Sequence, residues 1–495
     1  MRPRLRAGQC APGAGPRRVV ELVRVRRHER QPGLPPPAVS PASRGDDERL
    51  LRLHEARPDR YPVLLESMGG DPELGRYDVL FALPGDRLTL DRDRRTNGPG
   101  AARADDRFLA ALDAWWRSER VPAVTKPAGV PYAGGWFLYL GYELAGEIEP
   151  TLRLPRSELP IAIAWRMRGA VVLDRETGRI AAYAEPGGLE ALNVALEADL
   201  AETEIGAGLS RSVAGAPGGR IVVEEEPPGR FLAGVESVLE AIARGDVYQA
   251  NLSRGWRARL PEDLGAVDLY RRLRRANPAP FAGLARLPGF TLLSSSPERL
   301  LRVVGDEAST RPIAGTRPRG DSASRDAALR DELVLNEKER AEHVMLVDLE
   351  RSDLGRVCRG GSVRVDEYMI VETYATVHHI VSNVTGRLRA GVTPGEAIAA
   401  VFPGGTITGC PKVRCMELLA GLEAAPRGAY TGSMGYLGRD GSLDLNILIR
   451  TLAMRDNVVD FRTGAGIVAD SRPEFELAET RAKARGLLRA LGSEG

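Results

Sequence analysis

The chain has 495 residues, 43% hydrophobic and 27% charged, with 69 basic residues against 67 acidic ones and a formal net charge of +2. That balance excludes a general attraction for nucleic acid, and no apolar run nears the ~20 residues of a membrane span. The length exceeds one ordinary domain and predicts two closely packed lobes. Four cysteines, Cys10, Cys358, Cys410 and Cys415, form neither a disulfide framework nor paired zinc spacing. With no apolar signal core at the start, reduced thiols and a cytoplasmic location are expected.

Residues 1–47 alternate Arg, Pro, Gly and Ala without apolar periodicity and are predicted to be a disordered leader. A first region, 48–205, carries short β-like runs at 63–65 and 77–83 and a helical pattern at 106–116. The glycine-punctuated aromatic stretch 134–142, strands at 161–173 and 180–184, and a helix at 189–202 follow. Gly, Ser, Ala and Pro mark 206–224 as a linker. A second region, 225–490, opens with a helix at 230–244, an alternating strand at 247–252 and a helix at 269–275. Strands at 281–287 and 291–295 and one long helical stretch at 326–354 come next. Strands and helices mix without a βαβ rhythm or an internal repeat, which predicts an α+β fold.

Only four of the 69 basic residues are lysines: Lys126, Lys338, Lys412 and Lys483. Where arginine suffices for charge, a retained lysine is a candidate for needing a compact ammonium. Two Glu-x-x-Glu pairs, Glu339 with Glu342 and Glu476 with Glu479, lie in predicted helices, where three-residue spacing puts both carboxylates on one face. Either pair alone reads equally as a solvated helix face, but four carboxylates from two helices suit a hard cation such as Mg²⁺. Lys483, four residues after Glu479, shares that face.

The glycine-rich turn 403–412 leads into a helical pattern and offers backbone amides to an anion. It lacks the Gly-Lys-Ser/Thr ending of a P-loop, so a carboxylate is the more natural guest. Arg462-Thr463-Gly464-Ala465-Gly466 reads as a second set of exposed amides, because Pro473 denies it the helix of a dinucleotide site. His378 and His379 sit in an alternating strand, where one ring is expected to point inward.

Residues 225–490 resemble the chorismate-utilising enzymes, close to component I of aminodeoxychorismate synthase and of anthranilate synthase. The likeness rests on Ser296-Pro297-Glu298-Arg299, Arg311-Pro312-Ile313-Ala314-Gly315-Thr316-Arg317, Arg340-Ala341-Glu342-His343, Asp348-Leu349-Glu350-Arg351, the 403–412 turn and Gly464 to Lys483. Residues 61–200 resemble that family's N-terminal region, including Leu64-Leu65-Glu66-Ser67.

The resemblance implies two antiparallel sheets packed face to face with helices outside, and chorismate as substrate. It implies Mg²⁺ held by Glu342 and Glu479, with Glu339 and Glu476 reaching it through water. Tyr436, Arg450, the amides of Gly464, Ala465 and Gly466, and Lys483 would bind carboxylates, with Thr408 and Lys412 lining the site. Glu298 would be the general acid toward the C4 hydroxyl, and His379 would lie near the ring. Gln249 stands where isochorismate synthases carry a lysine base for water, which points to ammonia from a glutaminase subunit as nucleophile. The product implied is 4-amino-4-deoxychorismate, on the way to folate, by likeness at 248–252 and 277–282; anthranilate is the alternative, because Ala314 replaces the lysine of many aminodeoxychorismate synthases.

Overall fold

The alternation of apolar and polar residues is resolved into twenty strands and eleven α-helices in this computed structural model, which describes residues 48–68, 75–103, 105–122, 130–207, 221–374 and 377–493. The expected leader 1–47, most of the expected linker and Lys126 lie outside the described residues. No described helix is long and apolar enough to cross a membrane.

Antiparallel hydrogen bonding joins the strands in one succession. From one edge it runs Arg364–Thr373, Val377–Arg387, Glu307–Arg311, Arg299–Val304, Leu443–Asn446, Ser433–Gly438, Gly135–Leu140 and Ala162–Asp174. It continues through Tyr77–Leu90, Val63–Glu66, Phe281–Leu287, Phe290–Ser296, Thr451–Arg455 and Val458–Ile467 to Gln249–Arg259. One buried cluster, with Phe81, Phe137, Tyr139, Ala285, Leu292 and Met434, contains no helical residue and draws on strands far apart in this order. The sheet therefore folds back and faces itself across that cluster. Two other clusters pack its outer faces under helices: Phe108–Glu119 and Pro394–Val401 on one, Ala266–Ala276 and Pro473–Ala490 on the other. The α+β class and the two facing layers are as expected, but the ladder between the layers is unbroken.

Segments from both sides of the expected linker share this sheet. Val63–Glu66 lies between Tyr77–Leu90 and Phe281–Leu287, and Gly135–Leu140 lies between Ala162–Asp174 and Ser433–Gly438.

The long helix expected at 326–354 is two helices, Ala323–Leu335 and Glu337–Gly355. Asn336 breaks it: its backbone is extended, and its side chain accepts a hydrogen bond from the Glu339 amide at 3.0 Å. An asparagine side chain that caps the next helix competes with the carbonyl it would otherwise leave in line. The break sets the direction of the turn carrying Glu339 and Glu342. Asn336→Ala is expected to cost about 1 kcal/mol at this cap, read by hydrogen exchange as roughly fivefold faster exchange of the Glu339 amide.

Candidate active site

Strand Val458–Ile467 pairs along its whole length with Gln249–Arg259, setting Gly464 opposite Ser253 and Gly466 opposite Asn251. A Cβ on Gly464 would stand 2.5 Å from Asn251 Oδ1 and 2.7 Å from the Tyr430 hydroxyl. One on Gly466 would stand 2.5 Å from Gln249 Nε2 and 3.2 Å from Glu342 Oε1. Side chains from three other elements thus close onto bare backbone, which only glycine permits. Ala465 points to the opposite face, into a cluster with Val235 and Leu252, so its backbone alone belongs to the site. Lys483, on helix Pro473–Ala490, donates to the Gly464 carbonyl at 3.0 Å and pairs with Glu479 at 2.7 Å, its side chain 44% exposed.

Glu298 follows strand Phe290–Ser296 and is buried; its Oε1 accepts weakly from the Ile313 amide at 3.4 Å. Burial pushes its carboxyl up to about 7, against the pull of the Thr406 hydroxyl and the charges of Arg450 and Lys483. Such an acid is still substantially protonated near neutral pH. Arg450 forms no ion pair among the described residues, although burial works against its charge. Its backbone is left-handed, φ 51°, an uncommon conformation for a bulky residue. His379 is buried, with Nδ1 2.9 Å from the Thr316 hydroxyl and Nε2 without a partner. Burial and then the Arg450 charge lower its pKa to about 3, so it is a neutral imidazole with one unused nitrogen.

Glu342 accepts from Gln249 Nε2 at 2.6 Å, and its charge acts on Lys483, which Glu479 also touches. The fold therefore brings the two Glu-x-x-Glu helices to one lysine. Glu339 pairs with Arg317 at 2.6 Å while its buried Oε2 has no partner, and Glu476 is buried where Glu479 is exposed. Among the described residues no group of three or more His, Cys, Asp or Glu stands ready to hold a metal ion. An all-carboxylate donor set with one orphaned oxygen still suits Mg²⁺, which typically takes one or two protein carboxylates and completes its shell with water and an anionic substrate.

The polar side-chain groups of three expected site residues are engaged elsewhere or turned into the core. Tyr436 packs against the helix-free core cluster, its ring 5.5 Å from that of Tyr132 and 6.5 Å from that of Phe81. Lys412 is tied to Asp353 and to the Val401 carbonyl. The Thr408 hydroxyl donates to Gly404 within its own turn at 2.9 Å. Sequence reasoning missed Tyr430, whose hydroxyl meets the Gly464 backbone where Tyr436 was expected to serve. Its signal was proximity to Arg427-Gly428, a turn outside any strand. Both His378 and His379 are buried, where one inward ring was expected; His378 Nε2 lies 2.9 Å from Asp326 Oδ1 on the other face.

Comparison with known proteins finds a family described as chorismate binding enzyme, matching residues 72–489. A Haloarcula marismortui protein named anthranilate synthase component 1 1 is 40% identical over 468 residues, 90% of each chain. A Bacillus subtilis protein named aminodeoxychorismate synthase component 1 is 38% identical over 454 residues, 90% of this chain and 94% of that one. The crystal structure of anthranilate synthase component I from Streptococcus pneumoniae superposes with a TM-score of 0.72 at 29% identity, covering 83% of this chain and 92% of that one.

Because burial raises the proton affinity of Glu298 in the folded state, the stability it lends is full below the ordinary range near 4.5 and drains as pH rises through about 7. Glu298→Gln removes that drain. The variant is expected to melt above the parent at pH 8, with the gap closing by pH 5, in calorimetry across that range.

Proposed function

This chain belongs to the chorismate binding enzyme family, and within it we propose that it aminates chorismate to 4-amino-4-deoxychorismate, with ammonia from a separate glutaminase subunit, on the way to folate. The observation that carries the reading is a buried acid, Glu298, held within the field of a guanidinium, Arg450, that forms no ion pair among the described residues. A dianionic substrate needs the cation, and a hydroxyl leaving group needs the proton.

Arg450, Lys483 and the Tyr430 hydroxyl are proposed to orient the carboxylates over the Gly464 to Gly466 backbone. Glu298 would give its proton to the departing C4 hydroxyl, which leaves as water. Mg²⁺, held by Glu342 and Glu479 with Glu339 and Glu476 behind water, would supply the charge that neutralises the ring carboxylate. At Gln249 a neutral amide donates to Glu342; it cannot take a proton from water, which supports ammonia as nucleophile. The B. subtilis relative, covered over 94% of its length, supports the 4-amino product, as does the segment Asn277-Pro278-Ala279-Pro280-Phe281-Ala282. Anthranilate formation is the second reading. Ala314, which has no amine to attack the ring, favours it.

Purified protein with chorismate, Mg²⁺ and ammonium is expected to yield p-aminobenzoate only after an aminodeoxychorismate lyase is added; anthranilate fluorescence without lyase would overturn the choice of product. Glu342→Gln is expected to raise the Mg²⁺ requirement at least about tenfold with an unchanged melting temperature. Tyr430→Phe should raise the chorismate KM about five- to tenfold, the worth of one hydrogen bond, whereas Tyr436→Phe leaves it within twofold in the same assay.

A further inference from the structure

Two buried carboxyls touch the glycine-rich turn, and the chemistry above uses only Glu298. The second is Glu350, on helix Glu337–Gly355, whose Oε1 accepts from the Gly405 amide at 3.3 Å. Helix and turn meet closely: a Cβ on Gly405 would stand 2.5 Å from Leu349 Cδ2 and 3.3 Å from Glu350 Oε1. Thr406, the next residue of the turn, has its hydroxyl beside Glu298. A second segment is shared in the same way, since the Thr310 hydroxyl lies by Glu350 and the Ile313 amide donates to Glu298 at 3.4 Å. The two carboxyls therefore straddle the same pair of segments, and the charge of Glu298 reaches Glu350. Both threonine hydroxyls are buried and complete no hydrogen bond among the described residues. A hydroxyl free to turn can take one proton while giving its own.

Away from Glu298, Glu350 meets a path toward solvent. Asp353, one turn further along the same helix face, is ion-paired with Lys412, whose side chain is 12% exposed. Burial and then the charge of Asp353 push the Glu350 carboxyl up to about 8, against the pull of Lys412 and the Thr310 hydroxyl. Like Glu298 it holds a proton near neutral pH, and two acids so matched exchange one at little cost. We propose that Glu350 stores the proton that recharges Glu298 after each turnover, on the reading above that Glu298 protonates the departing hydroxyl. When the C4–O bond breaks, its electron pair and the Glu298 proton leave with the water, and a carboxylate remains. Glu350 then gives its proton to that carboxylate through the Thr406 hydroxyl. Ammonia forms the C–N bond with its lone pair and sheds one proton to solvent, and solvent returns one to Glu350 past Asp353 and Lys412. No proton is gained or lost over the cycle.

A store of this kind separates the first turnover from those that follow it. Glu350→Gln keeps an acceptor for the Gly405 amide but removes the stored proton, and Thr406→Val removes the connecting hydroxyl. Each variant is mixed with saturating chorismate, Mg²⁺ and ammonium chloride under rapid quench, counting whichever aminated product forms. For each that melts like the parent, one product per site is expected at a rate within about threefold of the parent's first turnover, followed by a steady rate at least about tenfold lower. The solvent deuterium isotope effect on that steady rate should exceed the parent's. A steady rate within about twofold of the parent's, or a first turnover slowed as much as the later ones, overturns the store while leaving the proposed reaction standing. A parent that forms no aminated product overturns both.

Discussion

The site hangs on one buried ion pair, Arg427 with Glu423. Arg427 lies on the turn before Tyr430 and holds Glu423 with two nitrogens, at 2.7 and 2.9 Å. Its remaining donors reach the Ile407 carbonyl of the glycine-rich turn at 3.0 Å and the Asn251 carbonyl at 2.6 Å. Glu423 in turn accepts from the amide and hydroxyl of Ser253, the residue opposite Gly464. One guanidinium thus fixes the turn, the strand paired with the bed, the helix after the turn and the loop carrying Tyr430. A pair this buried contributes little beyond what apolar packing would, but losing one partner strands the other and costs about 3–5 kcal/mol. Its value is in registry: it ties three consecutive segments, the turn, the helix and the loop, to a strand 170 residues earlier.

Around that hub the fold assembles charges that do not cancel. Among the described residues Arg450, with its left-handed backbone, has no carboxylate on its guanidinium and the neutral His379 has no partner at Nε2, while burial raises Glu298 toward neutrality. Each is a cost to the empty protein, since buried polar groups ordinarily find partners. A ligand bearing two carboxylates and a leaving hydroxyl would satisfy all three at once, which is the pattern expected of a preorganised site. The glycines make this geometry possible: side chains at 464 and 466 would occupy the space into which Asn251, Tyr430 and Gln249 reach.

Local patterns were legible in the sequence where the cause was local. The strands at 281–287 and 291–295 follow from alternation and appear within a residue of their expected ends. The exposed amides of Gly464 to Gly466 were read from the glycine pattern itself, whereas Glu298 and Arg450 were expected only through the family resemblance. What could not be read depends on partners far along the chain. Lys412 lies in a glycine-rich turn and suggests an anion, yet its amine is taken by Asp353, 59 residues earlier. Tyr430 and Tyr436 are six residues apart and chemically alike; which one faces the site depends on Tyr436 lying in a strand against Phe137, a pairing across nearly 300 residues.

The segment before the expected linker is part of this geometry and not an appendage to it. Glu143 is buried directly after strand Gly135–Leu140, and its Oε1 accepts from the amides of Arg427 and Gly428 at 2.8 and 3.1 Å. The Tyr142 ring lies under the Arg427 guanidinium, 4.7 Å from ring centre to carbon. The strand itself pairs with Ser433–Gly438, immediately after Tyr430. The loop that presents Tyr430 is therefore clamped on one side by residues near 140 and on the other by Glu423. Burial raises the Glu143 carboxyl to about 7 although three backbone amides and Arg427 oppose the shift. The clamp thus reaches the Tyr430 loop through a buried carboxyl on a residue some 290 positions earlier in the chain.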